Sequence, residues 1–207
     1  GARGPFAGFG QFTLGAQTQL VMFMFLSSMV AAASLVLTRR LGVSRRMVST
    51  PTPILAIVAG EGRGRFLIAL VQGLYIVAVS AIVFGVAWGD PLAAALIVLL
   101  FGIVAAAFAL LVGAIASNAD QAGSLGVFLG LALGALGGCM IPITFMPPLM
   151  QQLARLLPHS WALEGLQSLV RDGGGVAEVL PNLGVLAAYG AVVLVLAGWR
   201  FRKAIAG

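Results

Sequence analysis

Charge is what this chain has least of. Six acidic residues occur in 207, and none falls within the five longest apolar stretches. Lysine occurs once, at Lys203, histidine once, at His159, and cysteine once, at Cys139. Each scarcity excludes something. A single cysteine cannot form an internal disulfide and offers no thiolate spacing for a metal. With 9% charged and 60% hydrophobic residues, the chain is not a soluble globular domain. A carboxylate inside the membrane is the usual mark of ion-coupled transport, and the apolar stretches contain none. No Gly-x-x-x-x-Gly-Lys-Ser/Thr run is present, so no phosphate-binding loop is expected here. His159 adjoins Ser160, but neighbouring residues do not make a triad, and no Gly-x-Ser-x-Gly elbow is present. Catalysis by this chain is not expected.

What is present is apolar length. The stretches 20–37, 66–87, 92–116, 122–141 and 183–199 hold no Asp, Glu, Lys or Arg. A bilayer core needs about 20 apolar residues per helix. The expected fold is therefore an all-α polytopic membrane protein with five spans. The first stretch is too long and too late for a signal peptide. Arginine sets the orientation. Loop 38–65 holds Arg39, Arg40, Arg45, Arg46, Arg63 and Arg65 against one acid, Glu61, and the tail holds Arg200, Arg202 and Lys203. The other side has only Arg3, Arg155 and Arg171, among Asp90, Glu164, Asp172 and Glu178. Loop 38–65 and the C-terminus are expected to be cytoplasmic, in a multi-pass protein of the inner or plasma membrane. That puts residues 1–15 outside, as the end of an external segment, and suggests a preceding span. The net charge of +6 flanks apolar spans and is not interleaved with aromatics. It suits anionic lipid or an acidic protein surface, not nucleic acid.

The connections carry more detail. Residues 43–50 suit a short surface helix stopped by Pro51 and Pro53. Gly60, Gly62 and Gly64 suggest a flexible entry to the second span. Residues 88–91 and 117–121 read as tight turns, with Asn118 and Asp120 available as N-caps. The fourth span repeats glycine every four residues, at Gly126, Gly130, Gly134 and Gly138. One smooth helix face results, fit for close packing on another helix. The partner helix can come from the same chain or a second subunit, with a slight preference for the same chain. Beyond Ile141, Pro142 and the pair Pro147 and Pro148 interrupt the chain. Residues 150–157 and 161–170 then read as two short amphipathic helices separated by Pro158. They are too short to span and too apolar for a free loop, so segment 142–178 is expected to be an external re-entrant hairpin. Trp161 and His159 are expected at head-group level. Gln72 and Tyr75 share a face of the second span and are candidates to line a pathway, with interhelical hydrogen bonds as the alternative.

Gly137 and Gly138, Pro142, Met146 and Pro147, Leu153, Pro158, Trp161 and Glu164 resemble the external signature of the type-2 ATP-binding-cassette exporter permeases. Arg39, Arg40, Leu41 and Gly42, followed by Arg46, Met47, Thr50 and Pro51, resemble the family's cytoplasmic coupling segment. Thr38 and Arg40 stand where the family usually has acidic residues. The resemblance covers nearly the whole chain. It implies a permease subunit that forms half of a pathway and is paired with a second permease chain, identical or related. Separate cytoplasmic ATPase subunits, which hold the ATP and Mg, would drive it, and this chain would carry no cofactor. Arg39, Arg40, Gly42, Arg45, Arg46, Met47, Thr50 and Pro51 become candidates for contact with the ATPase. Pro142, Pro147, Pro158, Trp161 and Glu164 become the external re-entrant motif. The expected cargo is amphiphilic: a drug, a lipid or a lipid-linked glycan. An ion-coupled transporter and a non-transporting assembly subunit are the competing functions.

Overall fold

The computed structural model describes residues 12–41 and 54–206. All regular structure among them is helical. Helices α1 (Thr13–Val30) and α2 (Ala32–Arg40) meet at Ala31. The Ala31 N–H still donates to the Ser27 carbonyl at 3.0 Å. The break is shallow, and Thr13–Thr38 forms one apolar rod long enough to cross a bilayer. Then come α3 (Ile54–Phe84), α4 (Pro91–Ile115) and α5 (Ala119–Leu136). A 3-10 turn (Ile143–Phe145), two short helices, α6 (Pro148–Ala154) and α7 (Pro158–Arg171), and a long last helix, α8 (Leu180–Ala206), complete the chain. The other candidate spans are Ala59–Phe84, Pro91–Ile115, Ala119–Leu136 and Leu180–Phe201.

Helix α4 is apolar all round, and such a helix belongs in the middle of a bundle. Of its most apolar 18 residues 61% are buried, against 11% for α3. It packs on α8, α3, α1, α2 and α7. Lipid offers apolar groups no gain from leaving water, so close contact between small side chains must hold the seams. Ala93, Ala94, Ala105 and Ala109 of α4 are buried in the core accordingly. The helix starts where Asp90 accepts from the Ala93 N–H at 2.7 Å, with Pro91 in the first turn. It ends at Ala116, which turns extended. Asn118 then caps α5 by accepting from the Gln121 N–H at 2.7 Å, while Gln121 accepts from the Ser117 N–H at 2.8 Å. That exchange resembles a capping box moved by one residue.

Two expectations are corrected here. Gly60, Gly62 and Gly64 do not form a flexible entry; they lie inside the continuous helix α3. Glycine in a helix costs about 1 kcal/mol each, and a side-chain lock described below bridges this stretch. Gly138 does not share the helix face of Gly126, Gly130 and Gly134. Helix α5 ends at Leu136 with Gly137 as its cap, and Gly138 has φ +96°. A left-handed residue at this place tolerates no side chain without strain, and an added Cβ would also lie 2.8 Å from Ile143.

Segment 142–178 folds as two short helices. Leu157 is extended, as a residue before proline should be, and Pro158 opens α7. Helix α7 buries Pro158, His159, Ala162, Leu163, Leu166 and Leu169. It is tied on several sides. Gln17 Nε2 of α1 donates to the Leu166 carbonyl at 3.1 Å, and Asn182 Nδ2 of α8 donates to the Trp161 carbonyl at 3.0 Å. The Tyr189 hydroxyl donates to the Leu156 carbonyl just ahead of it. Gly89, at φ +71°, sits so close to Leu169 that a Cβ would lie 2.6 Å from it.

His159 is the third correction. It is not at head-group level but fully buried. Its ring meets Phe25 edge-on at 4.4 Å between centroids and Phe101 at 5.3 Å. Among the described residues neither ring nitrogen has a hydrogen-bond partner. Burial pushes its proton affinity down from 6.5 to about 3, so it sits there as a neutral aromatic plate.

Candidate functional site

The described basic residues divide between the two ends of the bundle. Arg39 and Arg40 end α2, Arg63 and Arg65 lie in the first turns of α3's membrane span, and Arg200 and Lys203 lie in the last turns of α8. Arg155 and Arg171 lie with α6 and α7. At the arginine-rich end the helices are cross-linked. Arg40 Nη2 donates to the Ser117 carbonyl at 3.2 Å, joining α2 to the turn between α4 and α5. Arg65 Nη1 meets Glu61 Oε2 at 2.5 Å and the Glu61 carbonyl at 3.0 Å, and its Nη2 donates to Ser34 Oγ at 3.2 Å. Only 7% of the Arg65 side chain is exposed. Arginine's forked donors let one side chain hold both its own helix and a neighbour. The pair lines a cavity of about 410 Å³ between α2 and α3.

Charge counting alone puts Arg65 in a solvated loop and misses this lock. The Glu61-x-x-x-Arg65 spacing was its visible signal, because residues four apart share a helix face. The contribution of Ser34 was not visible, since it comes from another helix. Of the coupling candidates, Arg39 and Arg40 are placed at the end of α2. Gly42, Arg45, Arg46, Met47, Thr50 and Pro51 lie outside the described residues.

Gly126, Gly130 and Gly134 face α1 of the same chain. A Cβ on Gly126 would run into the Met29 carbonyl oxygen, one on Gly130 would lie 3.2 Å from the Leu26 Cα, and one on Gly134 would lie 3.6 Å from Met22. The two pathway candidates part company. Gln72 Oε1 accepts from Ser27 Oγ at 2.5 Å, which ties α3 to α1. Tyr75 is exposed on the outer face of α3.

Of the motif residues expected outside, Pro142 precedes the 3-10 turn, Pro147 precedes α6 and Pro158 opens α7. Trp161 Nε1 donates to the Arg155 carbonyl at 2.8 Å and so closes the hairpin on itself. Glu164 is exposed. Its charge adds a lesser pull on Arg171, whose guanidinium is held chiefly by Asp172 at 3.0 Å and 3.1 Å. Among the described residues no three of His, Cys, Asp or Glu come together as metal ligands.

Five apolar rods, a polar lock at one end and a hairpin folded back into the other make a membrane architecture, and comparison with known sequences places it. Residues 4–199 match the ABC-2 family transporter proteins. The chain belongs to that family. It is 28% identical over 172 residues to the linearmycin resistance permease protein LnrN of Bacillus subtilis (strain 168), covering 83% of this chain and 45% of the relative. It is 26% identical over 186 residues to the inner membrane transport permease YhhJ of Escherichia coli (strain K12), covering 87% and 49%. A protein of the same name from Shigella flexneri gives the same figures. The chain therefore spans about half the length of these curated relatives. As an ABC-2 chain it is a membrane protein of a permease family.

Proposed function

We propose that this chain is the membrane subunit of an ATP-driven exporter and that its arginine-rich end is where the drive enters. One observation carries the reading. The ends of α2 and α3 that flank residues 42–53 are locked to each other and to the α4–α5 turn by Arg65, Glu61, Ser34, Arg40 and Ser117. Force applied to the segment between them would move three helices as a unit and would not be lost in bending one. In this reading Arg45 and Arg46 dock on a cytoplasmic ATPase that holds the ATP and Mg, Pro51 sets the exit angle, and the C-terminus is cytoplasmic. A second permease chain completes the pathway. It meets a face other than the glycine seam, because α1 already fills that seam. The cargo is amphiphilic. The apolar spans favour it, and the Bacillus relative is named for resistance to linearmycin. An ion-coupled alternative would need a free carboxylate among the spans, and Glu61, at the edge of one, is held by Arg65.

The test is affinity capture of the full-length protein from native membranes, followed by a vanadate-sensitive ATPase assay of the eluate. A co-purifying ATPase that is lost in the Arg45→Glu/Arg46→Glu variant is the expected result. A clean capture with no ATPase, or full activity in the double variant, overturns the proposal.

A further inference from the structure

At the arginine-rich end a second cavity, of about 690 Å³, opens between α3, α4 and α8. That volume lies within the roughly 300–1,000 Å³ of small-molecule sites. Its walls are apolar, built from Phe66 of α3, Ile103 and Leu110 of α4, and Leu194 and Gly198 of α8. Among the described residues only Arg63 and Trp199 bring a polar group to it. The Lys203 ammonium lies 4.2 Å from the centre of the Trp199 ring, and the Arg200 guanidinium 6.0 Å. Arg63 is exposed and makes no hydrogen bond or ion pair with the described residues, since the nearby acid, Glu61, is taken by Arg65. An apolar slot thus opens beside three cations, none of which has a counter-charge among the described residues, and one indole, the amphipathic ring that favours the head-group level of a bilayer.

We propose that this groove is a binding site for one acidic phospholipid. An acyl chain lies in the slot, and the phosphate sits between Arg63 and Lys203 beside Trp199. Charge complementarity selects this occupant. An apolar helix laid in the groove would leave all three cations uncompensated, and a zwitterionic lipid would bring its own ammonium among them. The site lies on the outer surface of α3 and α8. It stands whether or not an ATPase drives the chain.

The test uses the full-length protein in nanodiscs of phosphatidylcholine, with and without phosphatidylglycerol, each lipid in turn brominated on its acyl chains. Tryptophan fluorescence quenching and the lipid retained in native mass spectrometry are read. Brominated phosphatidylglycerol is expected to quench Trp199 more than brominated phosphatidylcholine, with the excess absent in Trp199→Phe. Arg63→Gln and Lys203→Gln should each weaken phosphatidylglycerol retention about fivefold, at about 1 kcal/mol per charge. Arg155→Gln, at the opposite end, should leave it unchanged. Gly198→Leu fills the slot from within and should abolish the excess quenching. It is expected to fold, because no atom lies within 4 Å of an added Cβ there. Equal quenching by the two lipids would mean a bulk lipid contact with no head-group selection. No quenching by either would mean that another helix covers the groove. Either outcome overturns the proposal, and neither bears on the ATPase capture.

Discussion

Gly123 and Gly126 stand one turn apart on α5, yet the same substitution should act oppositely at the two. An added Cβ at Gly123 would lie 4.0 Å from Ala33, in open contact, whereas at Gly126 it would strike the Met29 backbone. Gly123→Ala should leave the melting temperature in detergent unchanged or raised, since alanine favours a helix by about 1 kcal/mol over glycine. Gly126→Ala should lower it, at a cost of roughly 1–3 kcal/mol for an overpacked seam. Equal melts for the two variants would contradict the α5–α1 packing. The Glu61–Arg65 pair makes a second contrast at this scale. Removing one partner of a buried pair strands the other and costs roughly 3 kcal/mol, whereas replacing both with apolar groups is nearly neutral. Arg65→Met and Glu61→Met should each destabilise, and the double variant should recover most of the loss in thermal melts. The glycine spacing and the Glu–Arg spacing were both legible in the sequence. Which glycines touch backbone was not, because that depends on how closely a neighbouring helix approaches.

At the scale of the element, α7 is the helix whose placement matters most. Its short length and bounding proline were readable in the sequence. Its depth was not, since one histidine and one tryptophan on a short helix suit an interface as well as a core. The buried His159 makes that depth measurable. Its imidazole is held neutral, with proton affinity lowered from 6.5 to about 3, whereas in the unfolded chain it takes a proton near 6.5. Between those values the unfolded state binds more protons than the folded one, so stability rises with pH. The contribution is complete above about pH 6.5 and is lost as pH falls toward 3. The melting temperature should therefore drop between neutral pH and about pH 5. His159→Phe keeps a flat ring between Phe25 and Phe101 and should flatten that slope. An unchanged slope in the variant would show that another group is responsible.

At the scale of the whole molecule, the segregation of cations predicts the orientation of the chain. A cysteine at Lys203 should resist a membrane-impermeant maleimide in intact cells and react after permeabilisation. A cysteine at Asp172 should react in both. The native Cys139 is buried and should stay silent. Reversed labelling would contradict the orientation expected from the arginine counts. The number of spans and the helical class followed from charge-free length alone, because a bilayer admits little else. Family membership followed from motifs in order, and the match over residues 4–199 agrees with it. What only the tertiary structure decided was pairing. It set the glycine face of α5 against α1 of the same chain, turned Gln72 inward to Ser27 while Tyr75 faces out, buried His159 and locked Arg65 to Ser34. The physical reason is common to all four. Periodicity and charge report which environment a side chain tolerates, whereas its partner is set by the approach of helices distant in sequence.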